Sequence, residues 1–145
     1  MNSEISWNII HKYFENNKQI LVKHHLDSYN EFYKSSIIQI FNEKNPIILQ
    51  KEQNPITQEF KNRCEIYIGG LDGTKIYFGK PIIYDDDREH FMYPNDARLR
   101  NMTYGMSIHY DIEVLFKIRD DDGELKETTR KYEKIFLGNF PIMIQ

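Results

Sequence analysis

Residues 108–118 read Ile-His-Tyr-Asp-Ile-Glu-Val-Leu-Phe-Lys-Ile. Apolar side chains stand at Ile108, Tyr110, Ile112, Val114, Phe116 and Ile118, while His109, Asp111, Glu113 and Lys117 alternate with them; Leu115 is the one exception. A period of two is that of an extended strand with one buried and one wet face. Asp120-Asp121-Asp122-Gly123 follows, and Asp-Gly is a favoured hairpin pair. Residues Lys126 to Leu137 are predicted to return as the partner strand, with Gly138-Asn139 breaking it. This hairpin commits the C-terminal part of the chain to an antiparallel sheet.

The N-terminal part changes period. Trp7, Ile10 and Phe14 recur at helical spacing behind Ser6, a candidate cap. A break is expected at Asn16-Asn17, and Gln19 to His25 suits a short helical turn. Ser28-Tyr29-Asn30-Glu31 has the spacing of a capping box. Tyr29, Phe32, Tyr33, Ile37, Ile40 and Phe41 form an apolar helical stripe behind it, ended by Asn45-Pro46. Between helices and hairpin, Ile47–Gln50 and Arg63–Ile68 read as strands, separated by a loop at Asn54-Pro55. Gly69-Gly70-Leu71-Asp72-Gly73 reads as a hairpin turn into a strand from Lys75 to Phe78, which Ile82–Tyr84 continues past Pro81. Pro94, Asn95 and Asp96 open a turn. Helices followed by antiparallel strands give an α+β class, with N-terminal helices packed on an antiparallel β-sheet.

With 145 residues, the chain suits one domain and one core. Nine Phe and ten Tyr exceed what so short a core needs, and aromatic surplus is a mark of protein–protein interfaces. The net charge of −3 argues against a free-standing nucleic-acid binder. Cys64 is alone, so an intrachain disulfide and a cysteine zinc site are excluded, and a reducing, intracellular compartment is expected. No apolar run reaches the roughly 18 residues of a membrane span, and no membrane partner is expected. The apolar run Phe140 to Ile144 has no polar tail behind it, as expected of a piece of a longer protein.

Several groups invite chemistry. Asp85-Asp86-Asp87 and Asp120-Asp121-Asp122 supply the carboxylates that hard cations want, but both fall at turns, where aspartate serves the backbone. His24, His25, Asp27 and Ser28 hold the residue types of a catalytic triad without a nucleophile elbow. The glycine-rich run at 69–73 lacks the Lys-Ser/Thr of a phosphate loop and precedes a strand. Arg98 and Arg100 suit an internal ion pair, a subunit contact or a phosphate. No catalytic residue, metal site or cofactor site is expected within the chain.

Four runs resemble the N-terminal region of the second-largest, β-like subunit of multisubunit DNA-directed RNA polymerases of the eukaryotic, archaeal and large-DNA-virus kind. They are Ile5-Ser6-Trp7 with Ile9, Ile10, Tyr13 and Phe14; Leu21 through Phe32; Tyr93-Pro94-Asn95-Asp96-Ala97-Arg98-Leu99-Arg100-Asn101-Met102-Thr103-Tyr104; and Phe136 through Met143. Ile76-Tyr77-Phe78-Gly79-Lys80-Pro81 is similar to a strand of the same region. The runs keep the family's order and span nearly the whole chain.

The resemblance implies residues 1–145 of an incomplete protrusion domain that scaffolds one wall of the DNA cleft in transcription. It implies a part of a nucleotidyltransferase whose Mg-binding aspartates and nucleotide-facing cations lie elsewhere. Partners would be other polymerase subunits, the rest of its own subunit, and DNA in the assembled complex. Arg98 and Arg100 are the candidate nucleic-acid or subunit contacts. The location would be the nucleus of a eukaryote, or host cytoplasm or virion for a virus. Two departures are a short loop after Asn45 and the stop at Gln145, where the family continues, often from a basic residue. The alternative is a stand-alone binding or adaptor module sharing the fold.

Overall fold

The computed structural model describes residues 3–86 and 88–143. Contacts within the chain sort it into two compact units, Met1–Ser36 and Ile37–Gln145.

The first unit holds α1 (Ser3–Asn16), α2 (Lys23–Glu31) and a π-helical turn (Phe32–Ser36). The expected helix around Trp7 exists, but it begins at Ser3, so Ser6 lies inside it and not at its cap. Its apolar face is solvent-exposed, with Trp7 69% accessible. The expected break is at Asn17, whose backbone N–H and side-chain Nδ2 both donate to the Tyr13 carbonyl, at 3.1 and 2.8 Å. The capping box at Ser28 does not form. A turn through Gln19–Val22 starts α2 at Lys23, and Ser28 and Glu31 lie within that helix. A capping serine needs non-helical backbone, which an upstream start denies it. Where the ladder widens into the π turn, the hydroxyls of Ser35 and Ser36 donate to the Glu31 carbonyl at 3.0 and 3.5 Å.

The second unit begins with α3 (Ile37–Lys44), which buries Ile37 and ends before Asn45-Pro46, as the sequence predicts. Four strands surround the long β6 (Gly105–Arg119) in one antiparallel sheet: β1 (Ile47–Lys51), β2 (Asn62–Ile68), β3 (Ile76–Gly79) and β7 (Leu125–Pro141). β7 runs along one side of β6. β2 and β3 lie end to end along the other side, and β1 pairs with β2. The Asp120–Glu124 turn closes β6 on β7, with Gly123 N–H donating to the Asp120 carbonyl at 2.8 Å. Direct cross-strand partners share a face. The register therefore places Ile47, Ile66, Val114 and Arg130 in one row, Leu49, Cys64, Phe116 and Thr128 in the next, and Lys51, Asn62, Ile118 and Lys126 in a third.

Asn45 joins α3 to the sheet by copying a strand. Its side-chain Nδ2 donates to the Ile68 carbonyl at 2.7 Å and its Oδ1 accepts the Ile68 N–H at 2.8 Å. The Phe41 ring meets Tyr110 at 5.7 Å between centroids.

Three strand expectations are corrected. Residues 69–75 are not a hairpin turn, because β2 and β3 run in the same direction against β6. They form a side loop pinched shut across Asp111: Gly69 N–H donates to the Asp111 carbonyl at 2.8 Å, and Asp111 N–H donates to the Lys75 carbonyl at 3.1 Å. Ile82–Tyr84 does not extend β3. It belongs to β4 (Ile82–Asp85), which among the described residues pairs with β5 (Arg88–Phe91) and no other strand, β5 being too polar for period two to reveal. Gly138-Asn139 does not end β7, which continues to Pro141 after a register shift that leaves Leu137 without a partner residue on β6.

The turn expected at Pro94–Asp96 is the start of a short helix, α4 (Pro94–Leu99). Pro94 suits the first helical position, and the Asp96 carboxylate accepts the Tyr93 N–H at 3.0 Å. Ala97 packs with Ile83 and Met92 in a small core against Tyr104. In the main sheet Ile108 is completely buried.

Candidate functional site

The face of β6 expected to be wet is the one that gathers charge under cover. Asp111 and Glu113 are buried at 7% and 4% exposure, and Glu65 on β2 at 4%. A buried carboxylate is costly unless paired and hydrogen-bonded. Each of the three is hydrogen-bonded, and Glu65 and Glu113 are ion-paired as well.

Glu113 Oε1 accepts from Lys75 Nζ at 2.8 Å and stands 3.4 Å from Lys131 Nζ. Glu65 accepts from the Tyr67 hydroxyl at 3.0 Å and from Lys117 at 3.2 Å, and forms an ion pair with Arg63, whose Nε lies 2.7 Å from Oε1. The Lys75 hydrogen bond, helped by Lys131, holds the Glu113 carboxyl below its ordinary 4.5 despite burial. Burial pushes the Glu65 carboxyl up, but Tyr67, Lys117 and Arg63 together outweigh it and leave it below 4.5.

Asp111 has no lysine or arginine partner in an ion pair among the described residues. Its Oδ1 accepts the backbone N–H of Lys134 at 2.9 Å, and its Oδ2 accepts the Tyr77 hydroxyl at 3.0 Å. With its backbone holding the 69–75 loop, all of its hydrogen-bonding groups are engaged. Donating to this carboxylate pushes the Tyr77 hydroxyl above its ordinary value. Sequence reading missed this assembly because it treated Asp111 and Glu113 as solvent-facing. The available signal was Lys75 and Tyr77, two apart on a neighbouring strand, with lysines clustered at 131 and 134.

Such an arrangement positions backbone and is suited to no acid–base cycle. The Glu65 and Glu113 carboxyls are held below their ordinary range by fixed donors, and both carboxylate oxygens of Asp111 are taken up by the Lys134 N–H and the Tyr77 hydroxyl. Of the two acidic triplets, Asp85 pairs with Arg100 and Asp120 pairs with Lys126, while Asp87 lies outside the described residues. Among the described residues no group of three or more His, Cys, Asp or Glu is placed to hold a metal. His24 and His25 sit side by side on α2 with ring centroids 3.9 Å apart, beside Asp27 and Ser28 on the same helix. No helix among the described residues is long and apolar enough to cross a membrane.

The two arginines part company. Arg100 donates to Asp85 Oδ2 at 2.8 Å, joining the end of α4 to the tip of the β4–β5 hairpin. That hydrogen bond holds the Asp85 carboxyl below its ordinary 3.8. Arg98 is exposed and has no ion pair among the described residues. An open cavity of about 530 Å3 is lined by Lys80, Tyr84, Met102, His109 and Phe136 among others.

Comparison with known proteins gives this geometry its setting. The chain is 31% identical over 143 residues to DNA-directed RNA polymerase II subunit 2 of Arabidopsis thaliana, covering 98% of this chain and 12% of that protein. It is 30% identical over 146 residues to the DNA-directed RNA polymerase II subunit RPB2 of Encephalitozoon cuniculi, again covering 98% and 12%. To the DNA-directed RNA polymerase subunit Rpo2N of Methanothermobacter thermautotrophicus it is 29% identical over 141 residues, 97% of this chain and 22% of the relative. The chain thus spans a small part of the length of the relatives it matches. The family model described as RNA polymerase beta subunit matches residues 20–145, which include α2, every strand and the Tyr93–Tyr104 run. This chain belongs to the RNA polymerase beta subunit family.

Proposed function

We propose that this chain serves as the N-terminal part of the second-largest subunit of a DNA-dependent RNA polymerase, scaffolding one wall of the DNA cleft and contributing no catalytic group. The observation that carries this reading is the family match over residues 20–145, in a region whose buried carboxylates are all engaged in holding backbone and cations. Nucleotide chemistry, its Mg ions and its substrates would belong to other parts of the assembly. Other polymerase subunits would be its partners, with the nucleus its place in a eukaryotic cell. Arg98, exposed and unpaired among the described residues, is the better placed of the two arginines to reach a DNA phosphate or a neighbouring subunit. Arg100 would act by holding the hairpin through Asp85.

The test is recovery of the affinity-tagged chain from the cell that encodes it, followed by size fractionation and a DNA-templated ribonucleotide incorporation assay. The expected result is co-elution with a large complex that incorporates nucleotides. Elution as a small species, with no incorporation in any fraction that holds the chain, would reject the polymerase reading in favour of a stand-alone binding module.

A further inference from the structure

The two faces of the main sheet divide charge unequally. One face carries Glu65 and Glu113, neutralised by Arg63, Lys75, Lys117 and Lys131. The three rows on the opposite face, defined above by register, contain no acidic residue. They hold Lys51, Lys126 and Arg130, of which only Lys126 has an ion pair, with Asp120, among the described residues. Between these cations lies an apolar patch. Leu49 and Ile118 are 59% and 48% exposed, and with Cys64 and Phe116 they line a shallow groove of about 430 Å3. A chain with net charge −3 therefore presents, at one place, an apolar surface whose rim carries Lys51 and Arg130 without an ion pair among the described residues, beside the paired Lys126 and Asp120.

We infer that this face, centred on Leu49, Cys64, Phe116 and Ile118, docks a polypeptide segment from outside these 145 residues that presents apolar side chains flanked by aspartate or glutamate. Apolar contact would give the affinity, and the unpaired Lys51 and Arg130 would fix register and reject basic partners. A second copy of this chain fits poorly, since it would set the same cations against one another. The inference goes beyond a general scaffold role, because it names a surface and the chemistry of what covers it.

Cys64 is the chain's only cysteine and lies in the groove, so its alkylation reports directly on cover. The test uses the tagged chain in its cellular complex, treated with iodoacetamide and read by mass spectrometry. Cys64 is expected to react at least ten-fold more slowly in the wild-type complex than in a Lys51→Glu/Arg130→Glu complex, with Lys51→Arg behaving as wild type. Carbodiimide coupling of the wild-type complex is expected to join Lys51 to an aspartate or glutamate outside these 145 residues, which decides the matter even where the charge-reversed chain fails to assemble. Equal alkylation rates overturn the proposal. So does coupling to a second copy of this chain, or protection that disappears on nuclease or detergent treatment. Polymerase subunits in the complex with an unprotected Cys64 would sink the docking surface alone. Protection within a complex that incorporates no nucleotides would sink the polymerase reading alone.

Discussion

The backbone N–H of Lys134 donates to Oδ1 of Asp111 at 2.9 Å, and this bond joins two irregularities on opposite sides of β6. On one side, β7 carries an extra residue between the partners of Tyr110 and Ile112, with Lys134 at φ 53°. On the other, the 69–75 loop leaves the sheet at Asp111 and returns to it there. Opposing a bulge, Asp111 supplies from its side chain the acceptor that the bulged strand cannot find in the ladder.

Replacing Asp111 with Ala is expected to orphan the Lys134 amide and destabilise the second unit by about 2 kcal/mol. Lys134→Gly suits the left-handed backbone and is expected to stay within about 0.5 kcal/mol of wild type. Lys134→Val is expected to lose more than about 1 kcal/mol. Urea unfolding of the three variants checks the order.

Acid should weaken the buried charge network. The folded-state carboxyls of Glu65 and Glu113 lie below their ordinary 4.5. A depressed carboxyl contributes stability that is fully present above the unfolded value and is lost as pH falls through the folded one. Stability is therefore expected to be flat above about pH 5 and to fall below it. A Glu65→Gln/Glu113→Gln chain should be less stable at pH 7 and lose less on acidification. Unfolding midpoints between pH 7 and pH 3 test this, and parallel curves for the two chains would contradict it.

Two glycines share a left-handed backbone but not their surroundings. Gly123, at φ 82°, has nothing within 4 Å of where a Cβ would lie, whereas a Cβ on Gly73, at φ 68°, would collide with Asn42 Oδ1 on α3. Gly123→Ala is expected to cost about 1 kcal/mol from backbone strain alone. Gly73→Ala is expected to cost about 2 kcal/mol because the Asn42 side chain must also move aside. Thermal unfolding separates the two outcomes.

The arginine pair should divide in the same way as its contacts. Arg98→Ala is expected to leave the unfolding midpoint unchanged while weakening DNA retention or subunit assembly in the tagged complex. If Arg98 meets a phosphate, the slope of log binding constant against log salt should fall by about 1. Arg100→Ala is expected to loosen the β4–β5 hairpin, with faster amide exchange at Arg88–Phe91. Unchanged retention and assembly in an Arg98→Ala/Arg100→Ala chain would count against the contact role of Arg98, and unchanged amide exchange at Arg88–Phe91 against the role of Arg100.

Period and punctuation in the sequence were enough to determine the helix ending before Asn45-Pro46, the strand at Arg63–Ile68, and the long β6–β7 hairpin with its Asp-Gly turn. These are local matters: one face of an element repeats, and a proline or glycine stops it. The family could be read there too, in runs such as Tyr93–Tyr104. Tertiary structure alone decided which partner each strand found, and so turned the Gly69–Gly73 hairpin into a side loop and Ile82–Tyr84 into a separate hairpin. It also decided that Asp111 and Glu113, polar residues on an alternating strand, are buried. Alternation tells which residues share a face, but not what covers that face. Here the cover is Lys75 and Tyr77, and a bulge at Lys134, brought across the sheet by pairings no local pattern encodes.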